Sequence, residues 1–349
     1  MSETKRYTVV VGGASGVCLR WDEVPPIADT EVLIRVSHSL ISPGTERHYI
    51  AQLRRVGGGL ALGYCAVGIV VSIGGLVEHL CVGDGVIAMG WNSATHSNYI
   101  VVPRKLVCRV HQSIKPTHAI LATIGATAIH AGDRAGLETS DRVLVIGMGL
   151  IGTMTALVAH ATGCQVWASD QNSALAGSGL YWTPLDLDRI KQEMDGSLDK
   201  IFLCIDSDVA DLFPRIVQLL DVNGNGRSRP KIVNVGRISG TLALSPALGN
   251  LDIVNASRCG AGYRDDLYHH GLKDVPVMAG EARVDENLQR SLKIVAESKN
   301  VLEKLDYRLY RVEEALRRYN TDEFFPPGIN LISHQDTGVA DIVPRCVAW

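Results

Sequence analysis

The run Gly147-Met148-Gly149-Leu150-Ile151-Gly152 spaces its glycines as G-x-G-x-x-G, after an apolar stretch, RVLVIG, and before a helical pattern that ends at Gly163. Such a loop suits the pyrophosphate of a dinucleotide. The first glycine permits a tight turn, the second lets backbone approach the phosphates, and the third lets helix pack on strand. The helix start adds unpaired amides and the positive end of its dipole. Asp170 ends the next apolar run, QVWASD, 18 residues after Gly152. A carboxylate there hydrogen-bonds ribose hydroxyls and repels the extra phosphate of NADP, so NAD is the expected cofactor. The alternative is that the glycines only punctuate a turn and Asp170 caps the next helix. Leu150 and Ile151 inside the fingerprint, and Asn234, Gly236 and Arg237 at the carboxyl end of KIVNVG, complete the candidate cofactor contacts.

Positioning that loop requires strands alternating with helices. RVLVIG, QVWASD, KIFLCID and KIVNVG read as buried strands, with helices over GLIGTMTALVAHATG and VADLFPRIVQLLD between them. This alternation predicts a parallel sheet with helices on both faces. Before it, RYTVVV, EVLIRVS, AVGIVVSIG, DGVIAMG, NYIVVP and KLVCRV are short β-branched runs, with one short helix expected over Thr45 to Leu53. A β-rich, barrel-like first third follows. At Pro116 the chain turns Ala-rich and helical as far as Gly136. Near the end, VDENLQRSLKIVAES is amphipathic, with Leu288, Leu292 and Val295 on one face, and RVEEALRRY is a second, shorter helix. DVNGNGRSRP, Asp221 to Pro230, reads as an exposed, mobile loop.

Composition bounds the partners. The 349 residues suit about two domains. Hydrophobic residues at 46% and charged residues at 20% exclude a disordered chain. Lys and Arg total 34 against 37 for Asp and Glu, a net charge of −3 without a basic run, so nucleic acid is not an expected partner. No uncharged apolar run reaches the roughly 18 to 20 residues that span a bilayer, and MSETKRY lacks a signal-peptide core. The sequence thus reads as cytoplasmic, without a membrane partner. Eight dispersed cysteines form no metal-like pair and are expected to be mostly reduced and buried.

The motifs Ser42-Pro43-Gly44-Thr45-Glu46, Leu62-Gly63-Tyr64-Cys65-Ala66-Val67-Gly68 and Val82-Gly83-Asp84-Gly85-Val86, followed by the glycine fingerprint, resemble the medium-chain dehydrogenase/reductase family. SLISPGTER, LGYCAVG and RCGAGYRDD with ARVDENLQ look most like its zinc-lacking bacteriochlorophyllide-dehydrogenase-like and bi-domain oxidoreductase branch. The resemblance implies an α/β chain: a GroES-like β-rich catalytic domain over residues 1–120, a Rossmann NAD-binding domain over 121–260, and residues 261–349 completing the catalytic domain. It also implies a homodimer joined through Rossmann sheet edges.

In zinc-containing relatives a Cys and a His stand where this chain has Pro43 and Tyr64, and the third ligand position falls near Ala122 and Thr123. Neither catalytic nor structural zinc is therefore expected. By position, Thr45 matches the family's substrate-contacting hydroxyl, His48 the outer end of a proton relay, and Glu46 an acid that orients its surroundings or acts as base. Tyr64 then becomes a candidate acid or donor. Each has a plainer alternative: Thr45 as a helix cap, His48 as an exposed helix residue, Tyr64 as filling of a former metal pocket. Tyr263 and Arg264, in the turn CGAGYRD, are candidate substrate contacts or parts of a hinge. His269 and His270 read as a loop pair, not as a metal site.

These features predict a zinc-independent, NAD(H)-dependent oxidoreductase that interconverts a secondary alcohol and a ketone on a small molecule. A polar relay with few aromatics nearby favours a sugar or aminocyclitol unit in a biosynthetic pathway. The alternatives are oxidation of a hydroxyethyl group on a large ring, quinone-reductase-like reduction of an enone, or a non-catalytic NADH-binding protein.

Overall fold

A computed structural model describes residues 5–12, 16–170, 181–184, 187–193, 197–222, 229–241 and 245–335. Most of the expected loop DVNGNGRSRP, residues 223–228, lies outside them. The chain divides into two compact units. The first comprises Met1–Thr123, Gly262–Val275 and Asp306–Trp349, and the second Ile124–Ala261 and Pro276–Leu305. The stretch Pro276–Leu305 thus differs from the expectation that everything after 261 returns to the first unit. Its helix Val284–Glu297 turns Val284, Leu288, Leu292 and Val295 inward, and Arg290 bonds Asp133 of the second unit at 2.7 and 2.8 Å. The amphipathic pattern was legible, whereas the choice of partner surface lay outside the helix.

In the second unit the strands Tyr181–Pro184, Gln165–Asp170, Arg142–Ile146, Lys200–Leu203, Lys231–Asn234 and Asp252–Asn255 lie side by side in that order, all parallel. In chain order this is 3-2-1-4-5-6, the doubly wound Rossmann arrangement. Val143, Leu144, Val145 and Ile146 are at most 1% exposed because helices cover both sheet faces. Burying each such aliphatic side chain contributes about 1.5–3 kcal/mol. Helix Leu150–Ala161 is apolar on nearly every side and packs on the first two strands of this order in sequence. The strand expected over KIFLCID stops at Leu203, and Asp206–Asp208 forms a separate parallel pair with Arg237–Ser239. The helix expected over VADLFPRIVQLLD contracts to Leu212–Val217, with Pro214 in its first turn, where a missing N–H costs little.

The first unit is the expected β-rich one. A sheet built on Glu31–Leu40 pairs that strand with Cys65–Ile73, Tyr99–Pro103 and Ile329–Ser333. Gly85–Met89, Val107–Arg109 and Tyr307–Tyr310 extend it. A three-stranded sheet joins Lys5–Gly12 to Val17–Glu23 and Gly59–Ala61. Helix Pro43–Val56 extends the short helix expected there, starting at Pro43, whose fixed φ suits a first helical position. It buries Glu46 and Ile50, one turn apart, into the core that also holds Tyr7, Leu316, Tyr319 and Ile332. Helix Val312–Tyr319 buries Val312, Ala315, Leu316 and Tyr319, the i, i+3, i+4, i+7 stripe of an amphipathic helix. Among the described residues, no helix is long and apolar enough to cross a membrane. Six described cysteines form no disulfide, and Cys18 is disulfide-bonded.

Candidate active site

Two sites emerge, one in each unit. In the second, a cavity of about 580 Å³ opens where strands Arg142–Ile146, Gln165–Asp170 and Lys200–Leu203 end. Gly147, Gly149, Ser169, Asp170, Cys204 and Asp206 are among its lining residues. This is the carboxyl edge at the switch point of the sheet, where such folds place ligands. The glycine turn is tied to the neighbouring strand: Gly147 N–H donates to Ser169 O at 2.8 Å and Met148 N–H to Asp170 Oδ2 at 2.5 Å.

The glycines separate by what a side chain would meet. Gly147 has φ +92, and a Cβ there would lie 2.6 Å from Cys204 O; at Gly152 it would lie 1.7 Å from Gly147 O. The protein's own packing therefore demands glycine at both. Gly149, at φ −64, has nothing within 4 Å of the position of a Cβ. Packing does not explain its glycine, whereas close approach of a phosphate does. The Ser169 hydroxyl, buried on the cavity lining, has no hydrogen-bond partner among the described residues. The residues fit a dinucleotide, with Gly147 to Ile151 as the pyrophosphate turn and Asp170 at the ribose.

Asn234, Gly236 and Arg237 are not among the residues lining this cavity. Asn234 Nδ2 donates to Asn255 Oδ1 at 2.8 Å on the next strand, Gly236 packs against Ile205 O, and Arg237 pairs with Asp206. Arg237 thus acts on the lining through a carboxylate. Leu150 and Ile151 occupy the first helical turn, partly exposed.

In the first unit the Ser42 and Thr45 side chains lie beside the Tyr64 phenol and act to lower its pKa. Burial, foremost, and the nearby Cys65 and Glu46 raise its pKa, so it stays protonated. Thr45 sits inside the helix, while Ser42 is the N-cap, which rules out the capping alternative for Thr45. Thr45, His48 and Tyr49 share a helix face by their spacing. His48 is exposed and its ring centroid lies 5.5 Å from that of Tyr49. Trp91 packs on Tyr49 at 4.8 Å and on Tyr64 at 5.7 Å, so aromatic rings surround the hydroxyls where few were expected. Tyr49 and Trp91 are far apart in sequence, and only folding joins them.

Glu46 is fully buried and accepts the Ser42 N–H at 2.9 Å, the Tyr319 hydroxyl, and His96 Nε2 at 3.3 Å. Ser42, His96 and Tyr319 carry no sequence signal of their own. Tyr263 stacks edge-on to His269 at 6.2 Å and Arg264 is exposed, on a segment held by Arg104, which donates to His270 O and Gly271 O at 3.1 Å. His270 Nδ1 bonds Thr30 Oγ1 at 2.7 Å.

A zinc ion does not fit the residues at the family's metal position. Pro43 and Tyr64 stand there, beside the buried Cys65 thiol, whose pKa burial raises. One thiol without a second soft donor makes no tetrahedral site. Among the described residues, no group of three or more His, Cys, Asp or Glu side chains could hold a metal ion.

No family model matches the chain. It is similar to sorbitol dehydrogenase from Macaca fascicularis, 28% identical over 202 residues, which cover 48% of this chain and 56% of that one. The chain thus spans about half the length of the curated relatives it matches. Among solved structures it resembles an oxidoreductase/dehydrogenase of unknown specificity involved in membrane biogenesis from Escherichia coli, with TM-score 0.73 and 17% identity over 95% of this chain and 99% of the other. It also resembles CAD from Helicobacter pylori complexed with NADP(H), with TM-score 0.66 and 15% identity over 95% and 98%. The chain has the fold of the medium-chain dehydrogenase/reductases, a β-rich unit combined with a Rossmann unit.

Proposed function

We propose that the chain is a zinc-independent, NAD(H)-dependent dehydrogenase interconverting a secondary alcohol and a ketone. The single observation that carries this reading is Gly149, a glycine that the protein's packing leaves unexplained, at the mouth of a cavity ending in Asp170. CAD from Helicobacter pylori, one of the solved structures this chain resembles, is complexed with NADP(H). Here Asp170, Asp206, Asp208 and Asp211 line the cavity against a single Arg215, which disfavours a further phosphate and supports NAD.

A bound nicotinamide supplies hydride transfer, and the remaining chemistry falls to the chain. The protonated Tyr64 phenol donates a hydrogen bond to the substrate oxygen, stabilising alkoxide character in place of a metal. Ser42 and Thr45 orient that phenol, and Thr45 with His48 one turn on supplies the relay for the alcohol proton. A sugar or aminocyclitol alcohol is the first substrate class. The rings of Tyr49, Trp91 and Tyr64 favour a second, a hydroxyethyl group on a large flat ring, because aromatic faces stack on planar surfaces. The strand Asp252–Asn255 ends the Rossmann sheet with Ile253 exposed, which supports a homodimer through that edge.

Titration calorimetry with NADH and NADPH, followed by an alcohol panel read at the NADH absorbance band, tests the proposal. NADH preference and turnover of one panel alcohol support it; NADPH preference removes the role given to Asp170. Absence of turnover with tight NADH binding would favour a nucleotide-binding protein without catalysis.

A further inference from the structure

Beneath the Ser42–Thr45 turn, the first unit encloses a chain of polar side chains that the hydride step does not use. It runs Tyr319–Glu46–His96–Ser39–His334–Tyr7, and none of these is more than 5% exposed. Its hydrogens can be assigned from one end. An ionised carboxylate only accepts, so Tyr319 O–H and His96 Nε2–H both point at Glu46. His96 Nδ1 then accepts from the Ser39 hydroxyl at 2.7 Å. Ser39, its one proton committed, accepts from His334 Nε2–H at 2.9 Å, and His334 Nδ1 accepts from the Tyr7 hydroxyl at 2.7 Å. Each of these bonds points toward Glu46, and the Tyr319 hydroxyl also lies 3.2 Å from His96 Nε2. The far end, Tyr7, is fully buried, so the chain is no conduit to solvent.

Such an arrangement is costly to bury unless each member is satisfied, and it fixes one carboxylate in one place. What that carboxylate touches in turn is the Ser42 amide, at the cap of the helix that carries Thr45. We propose that Tyr319 and His96 are positioning residues: they clamp Glu46 onto the Ser42 amide and so hold the start of the helix that carries Thr45 in place beside Tyr64. Ser39, His334 and Tyr7 fix the His96 tautomer. The kinetic consequence rests on the dehydrogenase reading; the geometric one does not.

The test places 3-fluorotyrosine at position 64 in the full chain and compares 19F spectra with kinetics. Tyr319→Phe deletes one hydroxyl and keeps the ring. It should move or split the 19F line and lower kcat about 10- to 100-fold, while KM and NADH affinity stay unchanged. Ile332→Val, a small cavity in the same core, should leave both line and kcat as in the parent. In a second pair, His96→Gln, whose amide still donates to Glu46, should keep the line that His96→Leu displaces. An unmoved line in Tyr319→Phe and His96→Leu, or equal kcat losses in Tyr319→Phe and Ile332→Val, overturns the proposal. If the parent protein turns over no alcohol, the dehydrogenase reading falls and the 19F comparison decides alone: a displaced line upholds the clamp, an unmoved one overturns it.

Discussion

In the proposed reaction Tyr64 takes over the role of a metal without imitating it. A phenol whose pKa is raised by burial is a hydrogen-bond donor at all working pH values, so its contribution is to the oxygen and not to proton abstraction. Tyr64→Phe should therefore lower kcat by about 10²–10⁴-fold with unchanged NADH affinity, measured by steady-state kinetics beside calorimetry. In the same proposal Asp170 makes the opposite kind of contribution, a charge placed to reject another charge. Asp170→Asn should weaken NADH binding and shift the NADH:NADPH affinity ratio about tenfold or more toward NADPH. His334 gives a third prediction at this scale. Burial, with His96 and His38 nearby, holds its pKa well below the usual value. The unfolded chain then binds the extra proton first, so stability is full above the unfolded histidine pKa of about 6.5 and falls as pH drops below it. Melting temperature between pH 8 and pH 5 should decline, and less steeply in His334→Gln.

At the scale of elements, the glycine turn separates folding from binding. Gly152→Ala would force a Cβ to 1.7 Å from a carbonyl oxygen of the same turn, so helix and strand must part. A cost of about 1–3 kcal/mol or more is expected in denaturant melts, together with loss of NADH binding. Gly149→Ala meets no neighbour and its φ suits alanine, so stability should stay within about 1 kcal/mol of the parent while NADH affinity falls at least about tenfold. Equal stability losses in the two variants would show that Gly149 serves packing after all. Both effects were readable in G-x-G-x-x-G only as a group; which glycine serves the protein and which its ligand depends on where Cys204 and Ile205 lie, more than fifty residues on. The same holds for Arg237, whose place after a strand suggested a cofactor contact. Asp206 sits across the small parallel pair and accepts from the Arg237 guanidinium.

For the whole molecule, binding should act as linkage: NADH at about 100 times its dissociation constant adds about 2.7 kcal/mol to the stability of the form that binds it, visible as a rise in melting temperature. If the exposed sheet edge joins two copies, light scattering should give a dimer for the parent and a monomer for Ile253→Asp. The local patterns alone determined the parallel sheet, its glycine turn, Asp170 at the end of the second strand, and the amphipathic faces of Val284–Glu297 and Val312–Tyr319. Each of these is a repeat or a spacing, and periodicity survives without knowledge of any partner. Tertiary structure decided what those faces meet. It placed Pro276–Leu305 with the Rossmann unit, set Trp91 and Tyr49 beside Tyr64, and gathered Tyr7, Ser39, His96, Tyr319 and His334 around Glu46. Their hydrogen bonds join residues 50 to 327 positions apart. A lone buried histidine or tyrosine has no periodicity to betray it, and its partner is fixed only when distant strands close on one core.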